Sequence, residues 1–246
     1  MTNRRKRLFP FAWMLPIALF FTFLILCLHF PVHAEPQDNL ILYYDFNLQN
    51  DSSTIISDVS GSQNSGELKS INGKLEGMYA IEDANLYGKT VKALHLTGGQ
   101  TGAYLQFPNG ILYGNNAITI SVWVKLPTNN GYQRIWDFGT GQDKYMYLLS
   151  DGRNAGFQGY ASAITTAGWT NEKGVQKRDN IAKGRWVLTT LVMDGSKMSL
   201  YENGIQIGST VDTGIRLADL GVTGNNYLGY GQFSENPTTG WFAECK

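Results

Sequence analysis

The stretch 118–126 alternates without a break: Ile118, Ile120, Val122, Val124 and Leu126 fall on one face, and Thr119, Ser121, Trp123 and Lys125 on the other. A period of two is the signature of a strand buried on one side. Further on, the β-branched stretch 186–193 runs into Asp194-Gly195, and 198–202 runs into Asn203-Gly204. Asp-Gly and Asn-Gly both suit the type I′ turns that join adjacent antiparallel strands. Three strands are thus fixed as a meander, and the fold must build on them.

The rest of the chain repeats the pattern. Strands are expected at 40–46, 93–96, 103–107, 134–138, 145–149, 155–164, 205–208 and 226–229, with Gly98-Gly99 as one of the turns. No window holds a 3.6-residue period. About eleven short strands separated by Gly, Asn and Asp signals point to an all-β, antiparallel sandwich or barrel.

Residues 1–34 stand apart. Arg4, Arg5, Lys6 and Arg7 precede an almost wholly apolar run, 9–30, and Val32-His33-Ala34 offers small residues where a signal peptidase reads. The run is also long enough to span a bilayer, so the segment reads as a signal peptide or an N-terminal membrane anchor. Either way, 35–246 is expected as a single domain outside the cell. A lipoprotein reading fails, because Cys27 follows the bulky Leu26.

Without that segment the chain carries 16 Lys and Arg against 20 Asp and Glu, a net charge of −4. Nucleic acid is therefore a poor partner. A membrane is expected as a partner only if the segment stays uncleaved. Cys245 is the one remaining cysteine, so no internal disulfide can form; it reads as an incidental tail residue, a free thiol or an intermolecular link.

Catalysis lacks its parts. Two carboxylates must flank a scissile glycosidic bond, yet no Glu-x-Asp-x-Glu or Glu-x-Asp-x-x-Glu pattern occurs. Glu82-Asp83 lies in a turn-like stretch, and neighbours on an extended chain point opposite ways. His95 is the only histidine beyond residue 34, which leaves neither a triad nor a His/Cys zinc site. The expectation is that the protein is not an enzyme.

Aromatic faces with polar neighbours suit sugar rings. Trp169 sits among Thr165, Thr166, Thr170 and Asn171; Tyr145 and Tyr147 share a face opposite Met146 and Leu148; Trp123 lies off the aliphatic face; Tyr132, Tyr230 and Trp241 stand in loop-like settings. The candidate ligand-binding residues are Trp169, Trp123, Tyr147, Tyr145 and Tyr230. Trp136 and Trp186 are assigned to the core.

Five motifs occur in a familiar order: Tyr44-Asp45-Phe46; Asp58-Val59-Ser60-Gly61 with Asn64 and Gly66; the block at 118–125; the block at 134–139 followed by Tyr145-Met146-Tyr147-Leu148; and the meander from Trp186 to Gly204. Together, across 38–233, they resemble laminin G-like domains of the concanavalin A-like lectin/glucanase superfamily. The block at 134–148 is similar to modules appended to bacterial glycoside hydrolases that act on arabinose-containing polysaccharides. The resemblance implies a jelly-roll β-sandwich and a non-catalytic module that binds a polysaccharide or glycoconjugate. An extracellular protein-interaction or adhesion domain, or a truncated remnant of a hydrolase accessory domain, is the alternative. It also implies a structural calcium at Asp45, Asp58 and Asn64. The family usually ends in an acidic residue and a strand that returns beside the first. The ending at 240–246 shows no such strand, so the closing strand is expected to be missing.

Overall fold

The computed structural model describes residues 39–47, 53–128, 131–152 and 156–246. The segment 1–34, expected as a leader or anchor, lies outside them. Among the described residues no helix is long and apolar enough to cross a membrane.

Fifteen strands among the described residues form two antiparallel sheets. The larger has eight strands, in the order β1 (Ile55–Ile56), β2 (Gly66–Ser70), β5 (Ala103–Gln106), β14 (Asn225–Leu228), β7 (Arg134–Gly139), β8 (Tyr145–Gly152), β9 (Gly159–Thr165) and β10 (Lys173–Lys177). The smaller has seven, in the order β13 (Ile205–Asp212), β12 (Lys197–Glu202), β11 (Trp186–Asp194), β6 (Ala117–Lys125), β15 (Gly240–Ala243), β4 (Lys89–Leu96) and β3 (Tyr79–Leu86). Both feed one core. Leu105, Trp136, Phe138, Met146 and Leu148 of the larger sheet join Leu94, Leu96, Val122, Val124, Leu191 and Phe242 of the smaller. Each such buried side chain contributes about 1.5–3 kcal/mol.

The alternation in 118–126 is realised. Val122, Val124 and Leu126 are buried, and Trp123 and Lys125 lie on the far face. The meander forms: Glu202 stands opposite Ile205 across the expected Asn203-Gly204 turn, while Asp194 stands opposite Lys197, so the first turn is Gly195-Ser196, one residue beyond the Asp-Gly expected.

Four expectations are corrected. First, the closing strand exists. β15 inserts between β4 and β6, with Trp241 opposite both His95 and Lys125. Beyond it Tyr44 and Cys245 form an antiparallel bridge, and Glu244 accepts the Tyr43 hydroxyl at 2.5 Å. Only four residues long, β15 has too short a pattern to announce itself. Second, 40–46 is not a full strand; the Tyr44 bridge is its one ladder contact among the described residues. Third, Glu82 and Asp83 sit mid-strand in β3, paired with Ala93 and Lys92. Fourth, Cys245 is no loose tail: it is 2% exposed within the core, and burial pushes its thiol up to about 12.

Candidate functional site

The face of the eight-stranded sheet turned away from the core carries a second cluster. On β8, Met146 and Leu148 point into the core. Their neighbours Tyr145, Tyr147 and Leu149 pack instead with Ala163 of β9, under Phe157 and Phe233. On β7 the register slips between Arg134 and Trp136, so Arg134 stands opposite Leu149 and Asp137 opposite Tyr147. Such a bulge re-aims side chains. Ile135, Trp136 and Phe138 stay in the core while Arg134 and Asp137 share the outer face.

A cleft of about 260 Å³ opens there. β8 supplies Tyr147 and Leu149, and the segment after β9 supplies Trp169 and Glu172. The segment between β14 and β15 supplies Phe233 and Glu235. Arg134, Tyr132, Phe157 and Gly156 complete the lining.

The loop that displays Trp169 is held by its own polar side chains. Thr165 Oγ1 donates to Gly168 O and accepts from Ala167 N, and Asn171 Nδ2 donates to Ala167 O. The single 3-10 turn Trp169–Asn171 leaves the indole 54% exposed. Next along, Glu172 takes the Tyr145 hydroxyl at 2.6 Å and the Tyr147 hydroxyl at 2.8 Å. Burial, and then the Glu172 carboxylate, push both phenols well above their ordinary value.

Arg134 is 6% exposed and lies with its guanidinium 4.0 Å from the Tyr147 ring centre and 5.8 Å from that of Phe233. Its Nε donates to Asp137 Oδ2 at 3.2 Å. Burial pushes the Asp137 carboxyl up to about 7, against the opposing pull of Arg134 and of two hydrogen bonds from Gln232. Those bonds pin the segment that carries Phe233 and Glu235. Gly231 allows the close approach: a Cβ there would lie 2.8 Å from Arg134 Cγ and 2.9 Å from Asp137 Oδ2.

Of the five aromatic candidates, Trp169 and Tyr147 line the cleft. Tyr145 lies beside it, edge-on to Phe233 at 5.4 Å. Tyr230 belongs to a cluster with Tyr104 and Tyr227, the three rings 4.9–5.3 Å apart. Trp123 is on the other sheet, against Tyr87 at 5.5 Å. Trp136 is in the core as expected, but Trp186 packs with Trp123 and Trp241 on the outer face of the smaller sheet. There a second, charged cleft of about 500 Å³ runs along Glu82, Lys125, Arg185 and Trp241. Trp241 is stacked 4.1 Å from His95 and covered by Lys125 at 5.1 Å, which leaves little ring for a ligand.

Sequence reading did not find Arg134, Glu172, Phe233 or Glu235. The Glu172 site needs pairing of β8 with β9 and the return of the next loop, which no local pattern encodes.

Asp45, Asp58 and Asn64 do not fit a calcium site. Asp58 accepts from Tyr43 N, Ser60 N, Ser60 Oγ and Asn64 N, which fills the four lone-pair positions of a carboxylate. Burial alone would raise its pKa, but these bonds bring it below the ordinary value. Asp45 is taken by the backbone and side chain of Asn47, and Asn64 turns its amide N–H to Ile41 O.

Comparison with solved structures gives the same architecture at low identity. Domain 4 of AbnA, an extracellular GH43 arabinanase from Geobacillus stearothermophilus solved with arabinotriose, superposes with a TM-score of 0.65 at 18% identity. The match covers 83% of this chain and 89% of that one. A structure of botulinum neurotoxin type C, whose cellular uptake is described as depending on two ganglioside molecules, gives 0.55 at 14% identity over 83% of this chain and 46% of the toxin chain. The binding domain of botulinum neurotoxin DC, in complex with rat synaptotagmin II, gives 0.52 at 14% identity over 83% and 46%. No curated protein matches the sequence. The family model Laminin_G_3 matches residues 98–246, more than half of the chain, and the protein belongs to this family of the concanavalin A-like lectin/glucanases superfamily.

Proposed function

We propose that the domain binds a polysaccharide or glycoconjugate in the Trp169 cleft, outside the cell and without cleaving it. The observation that carries this reading is the half-exposed Trp169 indole beside a cleft that is also lined by a guanidinium and two carboxylates. An apolar face for stacking next to fixed hydrogen-bonding groups is what a sugar ring requires. The arabinotriose held by one structural neighbour, a neutral sugar chain, supports the ligand class.

Glu235 also lines an adjoining polar cleft of about 500 Å³ with Gln133, Asn236 and Thr239. A groove that continues past one sugar favours a chain over a single residue. Glu172 supports the non-catalytic reading: each of its oxygens is already held by a tyrosine hydroxyl, which suits an anchor for the site better than a nucleophile. Calcium has no part in this reading.

The test is affinity electrophoresis of the full chain, expressed in an exporting bacterial host, through gels cast with soluble polysaccharides. Retardation by one polymer class, with that polymer recovered at unchanged length, is the expected result. A folded protein that migrates freely through every gel, or polymer that shortens, would overturn it.

A further inference from the structure

We infer that the Trp169 cleft selects uncharged, hydroxyl-rich glycan chains and rejects acidic ones, through a donor and an acceptor that the fold leaves open: Arg134 Nη1 and Glu235 Oε2. The inference rests on the cleft being the glycan site.

Both atoms are buried and without a hydrogen-bond partner among the described residues. Both residues line the same cleft. Buried polar atoms destabilise a fold when unpaired, so a fold that holds one of each sign in one cleft is matched to a ligand that supplies the complements. Arg134 has no freedom to turn away. Its guanidinium is wedged against Tyr147 and Phe233, and Nε is committed to Asp137.

A hydroxyl is the group that satisfies both atoms, because it accepts and donates. Neighbouring hydroxyls of a sugar ring would take the hydrogen from Arg134 Nη1 and give one to Glu235 Oε2. A carboxylate or sulfate could take the first bond but has no hydrogen for the second. It would also meet the carboxylates of Glu172 and Glu235 in the lining, with Asp137 behind Arg134. An ammonium suits Glu235 but faces a guanidinium that already occupies the aromatic faces it would seek. Like charges brought together in a partly desolvated cleft discriminate strongly.

The experiment compares gels containing neutral polymers (arabinan, arabinoxylan, β-glucan) with gels containing polygalacturonate or hyaluronan. The wild-type full chain is run beside Glu235→Gln and Trp169→Ala, with thermal melts confirming that each variant folds. Retardation is expected in at least one neutral gel and in neither acidic gel. It should survive ~1 M salt, where screening removes exposed charge attraction. Glu235→Gln should weaken it by about tenfold or more, a change of ~1.4 kcal/mol. Retardation by an acidic polymer that Trp169→Ala abolishes would overturn the selectivity while leaving the cleft as a glycan site. So would a Glu235→Gln protein that binds the neutral polymer as tightly as wild type. Retardation in no gel of either class would remove both readings.

Discussion

Tyr44 and Cys245 exchange both of their backbone hydrogen bonds, at 2.9 and 3.1 Å, and so join the start of the described fold to its end. The thiol of Cys245 faces the core at 2% exposure, with its pKa pushed up to about 12 by burial. Alkylation of Cys245 at pH 8, followed by peptide mass mapping, is expected to run about a hundredfold slower in the native protein than in urea, since only opening of the ends exposes it. Native labelling as fast as in urea would contradict this closure.

Trp169 should behave as a binding residue with no structural duty. Its ring is half exposed, and the loop is held by Thr165 and Asn171, not by the indole. Trp169→Ala is expected to cost about 2 kcal/mol of glycan affinity, as an anchoring aromatic at a recognition site does. The melting temperature should stay within about a degree of wild type. A variant that binds normally would move the site elsewhere on the surface.

Tyr145 and Tyr147 should depend on each other through Glu172. Removing either hydroxyl takes one donor from a carboxylate that accepts both. Hydrogen bonds to charged groups contribute about 1.5–3 kcal/mol, so Tyr145→Phe and Tyr147→Phe should each destabilise by that order in urea titrations. With Glu172→Gln as background, each tyrosine change should cost markedly less. Full additivity in that cycle would show that the three do not act as a unit.

Asp137 gives the fold a pH dependence of defined sign. Its carboxyl is raised from 3.8 to about 7, first by burial. Below about pH 4 it is protonated folded and unfolded alike, and costs nothing. As pH rises between 3.8 and 7 the unfolded chain gives up this proton before the folded one, so stability falls across that window and levels off above it. Wild type should therefore lose melting temperature relative to Asp137→Asn between pH 5 and 8. Parallel profiles would mean that Arg134 keeps the carboxylate charged throughout.

What the sequence made legible follows from how local the signal is. The strands at 118–126 and 186–204 carry an unbroken period of two or an Asp-Gly or Asn-Gly turn, and both form as strands, with the Asp-Gly turn displaced by one residue. β15 has four residues, Gly-Trp-Phe-Ala, and its partners β4 and β6 lie far away in sequence, so only the assembled sheet reveals it. At the cleft, the shared face of Tyr145 and Tyr147 followed from alternation. That this face is covered did not, because Phe233, Glu172 and Arg134 arrive from three separate segments and a register slip on β7. The calcium expected at the Asp58 loop follows from the family resemblance together with residue types that suit a hard cation. The same residue types also close turns on themselves, and here they do.

The position of β15 sets a timetable for the molecule's making. Synthesis is vectorial, and every other described strand leaves the ribosome before residues 240–243. Until then the smaller sheet is two separate pieces, β13-β12-β11-β6 and β4-β3, each showing a raw edge where the missing strand belongs. A chain that lacks β15 therefore presents two unpaired edges to any neighbour, and it is insertion of these four residues between β4 and β6 that makes the half-built wall one sheet.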